Sequence, residues 1–122
     1  MTTGPCWFEI PALDWRRATD FYEEVFAITT TLEDIGDGNR KSLFPPGFTV
    51  PGSIAWGPDW APSATGIMVY FDGGEDLQVI LDRVEPAGGT VVEGKQPVNA
   101  TSGYWARFRD TEGNLIGLLS PH

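Results

Sequence analysis

The sequence predicts an α+β fold of two βαβββ modules, curved mixed sheets around a shared cleft with the helices on the outer face. Two observations carry that prediction. Apolar residues recur at i, i+3, i+4 and i+7 twice, at Ala18, Phe21, Tyr22 and Val25 and again at Leu77, Ile80, Leu81 and Val84. That spacing marks one buried face of a helix. Each stretch follows one short strand pattern and precedes three more, so the order strand, helix, strand, strand, strand occurs twice. The repeat lies in order and spacing rather than in residue identity. Two half-sheets with a helix on one face each bury that face and leave the other free to line a cleft.

In the first module, Trp7 to Ile10 reads as a strand ended by Pro11. Asp14 is the N-cap candidate of the first helix, whose outer face carries Arg16, Arg17, Asp20, Glu23 and Glu24. Ile28 to Leu32 is β-branched and threonine-rich, hence a strand. Gly36-Asp37-Gly38-Asn39 is a hairpin turn. Lys41 to Phe44 is a third strand cut off by Pro45-Pro46, and Ser53 to Trp56 a fourth. The segment from Gly57 to Ser63, with Trp60, has linker composition.

The second module opens with the apolar run from Gly66 to Phe71 and a polar corner from Asp72 to Asp76. Pro86 and Gly88-Gly89 stop its helix. Thr90 to Val92 reads as a short strand, Tyr104 to Arg109 alternates, and Leu115 to Leu119 follows a turn at Asp110 to Gly113. The organisation expected is a single domain over 1–122, with module 1 at about 5–57, a linker at 58–64 and module 2 at about 65–120.

The 122 residues carry a net charge of −9. That charge repels phosphate backbones, so no nucleic-acid partner is expected. Without a run of 18 apolar residues no membrane span is expected. The first residues lack the regions of a signal peptide, and the expected location is cytoplasmic. Cys6 is the only cysteine, which rules out a disulfide within the chain; it reads as a small apolar strand residue.

Four stretches together resemble the vicinal oxygen chelate superfamily of glyoxalases, bleomycin-resistance proteins and extradiol dioxygenases, in its short bacterial glyoxalase-like branch. They are Trp7 to Pro11, Arg17 to Phe26, Leu81 to Gly89 and Phe108 to Asn114. The resemblance spans nearly the whole chain and implies a homodimer. It also implies that metal-using members take His or Glu ligands at positions that here hold Trp7, Ala55, Gly66 and Gly117. None of these side chains ligates a divalent metal, and the single histidine, His122, is expected to fray at the C-terminus. No metal and no cofactor are therefore expected.

Strand alternation from the cleft position at Trp7 puts Glu9 and Pro11 on the cleft face and Phe8 and Ile10 on the helix face. Gly66, Met68 and Tyr70 then face inward, with Ile67, Val69 and Phe71 against the helix. Trp105 and Arg107 point to the cleft, as do Leu115, Gly117 and Leu119. The ligand-binding candidates are thus Trp7, Glu9, Met68, Tyr70, Trp105 and Arg107, and Glu9 is the catalytic candidate because it alone suits proton transfer. A bland alternative makes Glu9 and Arg107 a structural pair. Three readings of function follow: a metal-free protein of the sequestration or resistance type binding a small, partly aromatic or apolar molecule; a metal-independent lyase or isomerase with Glu9 as general base; and a non-catalytic interaction module.

Overall fold

The structure is a computed structural model that describes residues 3–122. Its elements are β1 (Phe8–Pro11), α1 (Trp15–Phe26), β2 (Thr31–Gly36), β3 (Asn39–Leu43), β4 (Gly52–Trp56), β5 (Val69–Asp72), α2 (Gln78–Leu81), β6 (Thr90–Pro97), β7 (Tyr104–Arg109) and β8 (Leu115–Ser120). They form two four-stranded mixed sheets of identical topology, ordered β1-β4-β3-β2 and β5-β8-β7-β6. In each sheet the first strand runs parallel to the last and the remaining pairs are antiparallel.

Local chemistry explains most boundaries. Asp14 caps α1 by accepting from Arg17 N, and Ala27 ends it in the left-handed conformation. Ile28 N then bonds Glu23 O, and the Glu23 carboxylate takes both Thr30 N and Thr30 Oγ1. The chain from Ile28 to Thr30 is spent on that helix exit, so β2 starts only at Thr31. Asp37 (φ 54°) and Gly38 (φ 80°) are the two central residues of a type I′ hairpin turn between β2 and β3.

The expected second helix is shorter than its apolar spacing. Only Gln78–Leu81 is α-helical, without a side-chain N-cap, and turns continue to Gly89. Leu77, Leu81 and Val84 are nonetheless buried, so the face is right even where the helix stops.

One hydrophobic core joins both modules. Phe21 and Tyr22 of α1 lie under Phe108 of β7 and Phe71 of β5, with Phe8 and Ile10 of β1, Ile54 of β4 and Leu118 of β8 around them. The opposite sheet faces point away from this core. Three local expectations are corrected. Ile67 is 96% exposed rather than packed on the helix, because β5 begins only at Val69 and Gly66 turns at φ +93°. Cys6 is exposed and precedes β1 instead of lying in a strand. His122 is tied down, its N–H donating to Glu75 O and its carbonyl accepting from Ser120 Oγ.

Candidate functional site

Strand register builds one row across the second sheet, Tyr70 on β5, Gly117 on β8 and Arg107 on β7. All three lie on the face away from the core. The tyrosine ring lies flat over the glycine: a Cβ at Gly117 would overlap Tyr70 Cδ2 and Cε2 and sit 2.8 Å from Cγ. The ring reaches the next strand, where Arg107 Nε donates to the Tyr70 hydroxyl at 3.1 Å. Arg107 Nη1 donates to Glu93 on β6 at 3.0 Å, and the guanidinium lies 4.8 Å from the Trp105 ring centroid. Tyr70, Arg107 and Trp105 thus form one continuous layer, tied to β6 through Glu93.

The first sheet carries a second cluster. Lys41 on β3 faces Ala55 on β4, the position equivalent to Arg107 opposite Gly117. Its ammonium donates to Glu9 Oε2 at 2.6 Å and lies 6.0 Å from Trp7 and 5.7 Å from Trp60 ring centroids. Trp60 Nε1 donates to the other Glu9 oxygen at 3.0 Å. The segment bearing Trp60 therefore straps across the open face of the first sheet. Burial pushes the Glu9 carboxyl up, but the hydrogen bonds from Lys41 and Trp60 outweigh it, and the net pKa lies below the ordinary value of 4.5.

Glu9 and Arg107 are each paired elsewhere, Glu9 with Lys41 and Arg107 with Glu93, so they are not partners of one another. Trp7, Met68 and Tyr70 border one common space. They line a cavity of about 810 Å³ in the seam between β1 and β5, with Phe8, Phe26, Phe48, Val69 and Phe71 completing its walls. Its rings pack on one another, Phe26 on Phe71 at 4.6 Å and Phe48 edge-on to Phe71 at 6.1 Å. Glu9 lines a smaller space of about 170 Å³ with Pro11, Ser63, Thr65 and Asn114. Sequence reasoning passed over Lys41, Glu93 and the phenylalanines. The alternation of β3 could have placed Lys41 beside Ala55, whereas Glu93 lay beyond the strand read at Thr90 to Val92, and Phe26 and Phe48 meet the seam only through the tertiary fold.

The two modules are fastened by the turn Asp110 to Asn114. Glu112 accepts from Leu13 N, Asp14 N and the Arg17 guanidinium at the start of α1. Asn114 donates to Pro11 O and accepts from Ser63 N. Tyr22 Oη donates to Asp110 at 2.7 Å in the core. Burial holds the Asp110 carboxyl above its ordinary range and the Tyr22 phenol well above its own.

A sequence profile of the Glyoxalase/Bleomycin resistance protein/Dioxygenase superfamily matches residues 6–118. The chain belongs to that superfamily. TnmS3, an antibiotic binding protein from Streptomyces sp. CB03234, is similar at 25% identity and TM-score 0.66, over 99% of this chain and 98% of that one. A glyoxalase/bleomycin resistance protein from the same organism is similar at 26% identity and TM-score 0.66, over 96% and 100% of the two chains. A glyoxalase I mutant from Zea mays shares the fold at 17% identity and TM-score 0.76, over 95% of this chain and 46% of that one. A comparison with curated proteins gives no match.

The residues at the positions where the resemblance implies metal ligands do not fit a divalent metal. Trp7, Ala55, Gly66 and Gly117 offer no imidazole, carboxylate or thiolate, and the Tyr70 ring fills the space a side chain at Gly117 would use. Among the described residues no three His, Cys, Asp or Glu side chains are arranged so that they could hold a metal ion.

Proposed function

We propose that this superfamily member is a metal-free protein that binds a small, partly aromatic or apolar molecule, in the manner of sequestration or resistance proteins. The observation that carries this reading is the aromatic cavity of about 810 Å³ reached by Trp7, Met68 and Tyr70. Its size falls in the range of small-molecule pockets and its walls are apolar. The similarity to an antibiotic binding protein at 25% identity supports the same class of ligand. Glu9 supports binding over catalysis. Both its oxygens accept hydrogen bonds and its pKa is lowered, which makes it a weak base at neutral pH.

The reading includes a homodimer and a cytoplasmic location. Every residue of β2 is exposed, including Leu32 and Ile35, a surface suited to a second copy. The test uses the neutral aromatic probe N-phenyl-1-naphthylamine, whose fluorescence rises in an apolar site. Saturable binding at one probe per chain, with a fluorescence rise that is lost in Phe48→Asp, is expected. No saturable binding to the wild-type protein overturns the reading. Elemental analysis of untagged protein should find no stoichiometric Zn, Ni, Fe or Mn, and one metal per chain overturns metal independence.

A further inference from the structure

Tyr70 borders the cavity from β5, while its ring is held over β8, turned away from the seam, by residues outside the cavity. Gly117 does not touch the space itself, yet it alone leaves room for the Tyr70 ring to lie on the sheet. Arg107 lies farther away still, and its Nε holds the ring's hydroxyl at 3.1 Å. Its own guanidinium is clamped between Glu93 at 3.0 Å and the Trp105 face at 4.8 Å.

We propose that Gly117 and Arg107 are positioning residues that keep the Tyr70 ring flat on β8, and that this sets the size of the apolar, planar ligand the seam between β1 and β5 admits. The inference rests on the binding reading above.

A Cβ at Gly117 would meet not only the far ring atoms but Tyr70 Cγ, at 2.8 Å. The position of Cγ is set by χ1 alone, so turning the ring about χ2 gives no relief. The side chain must adopt another χ1 rotamer, leaving β8. Tyr70 stands on an edge strand whose only sheet partner is β8. Rotamers directed away from β8 therefore carry the ring off the sheet or over the free edge of β5, where the cavity opens. Losing the Arg107 hydrogen bond releases the ring without forcing it, so that change is the milder one.

The experiment measures N-phenyl-1-naphthylamine affinity for wild type, Gly117→Ala, Arg107→Met, Tyr70→Ala and the double variant Gly117→Ala with Tyr70→Ala, each with its melting temperature. Gly117→Ala should weaken the probe roughly tenfold, a misfit of the size that overpacking produces. Arg107→Met should weaken it less. The double variant should bind like Tyr70→Ala alone, because the three atoms nearest the added methyl all belong to the Tyr70 side chain. A merely structural role for Gly117 would lower stability in both backgrounds and show no such rescue. Gly117→Ala binding like wild type, or failing to be rescued by Tyr70→Ala, overturns the proposal. A ligand-free readout guards against a variant that does not fold. The Gly117 α-protons should resonate upfield in wild type from the Tyr70 ring current and return to ordinary positions in Tyr70→Leu. Equal positions in both overturn the proposal even if the probe binds. Wild-type protein that takes no probe overturns the binding reading, and this inference falls with it; probe binding without the ring effects sinks this inference alone.

Discussion

Both carboxylate oxygens of Glu9 are engaged, one by Lys41 at 2.6 Å and one by Trp60 Nε1 at 3.0 Å. Glutamine at this position would keep the acceptor for Trp60 but turn an amide donor toward the Lys41 ammonium. Glu9→Gln should leave the fold intact and cost about 1 kcal/mol at pH 7, the scale of a half-exposed charged hydrogen bond. The pH dependence has a definite sign. A carboxyl with a lowered folded pKa contributes stability above its unfolded value of 4.5, and that contribution disappears as pH falls through the lower folded value. The gap between wild type and Glu9→Gln in urea midpoints should therefore close below pH 4.5. A gap unchanged down to pH 3 would mean that the carboxylate is not what holds Trp60 and Lys41.

At the scale of elements, α1 is the one that sequence periodicity described most fully. Phe21 is 1% exposed and meets Tyr22, Phe108 and the backbone of Gly89. Phe21→Ala should cost about 3–5 kcal/mol and Leu81→Ala about 2–5 kcal/mol. Denaturant midpoints check both, and a change within error at either site would contradict the packing described. The strands were legible in number and facing. Phe8, Ile10, Ala106, Phe108, Ile116 and Leu118 all pack in the core, as alternation requires. Their ends were less legible. β6 runs to Pro97 through Glu93 and Lys95, residues that carry no strand signal of their own and pair because β7 lies alongside.

For the whole molecule, the shared hydrophobic core is supplemented by a polar fastening between the modules, centred on Glu112. Its buried carboxylate receives Leu13 N at 2.8 Å, Asp14 N at 2.7 Å, Arg17 Nε at 2.8 Å and Thr111 Oγ1 at 2.8 Å. Burial pushes its pKa up, and these donors, Arg17 foremost, bring it below 4.5. Glu112→Ala removes the acceptor for two N–H groups at the start of α1 and should cost about 3 kcal/mol at pH 7. By the same sign as for Glu9, the loss should shrink as pH falls below 4.5. Thermal melts across pH 3 to 7 measure it, and a cost under 1 kcal/mol would show that each module holds its own helix without the other.

Order, spacing and residue type determined the two βαβββ modules and the helix faces, because period and turn chemistry are local properties, and they gave the expectation that Trp7, Glu9, Met68, Tyr70, Trp105 and Arg107 share a cleft. The same information showed that Trp7, Ala55, Gly66 and Gly117 lack metal-binding groups. Partners were decided only by the tertiary structure. Glu9 meets Lys41, 32 residues on, because β1 and β3 flank β4, and Arg107 meets Tyr70 across the glycine of β8. The seam cavity likewise exists only where the ends of β1 and α1 and the loop at 47–50 come against the edge of β5. Such contacts depend on strand order and register between distant segments, which no local pattern encodes.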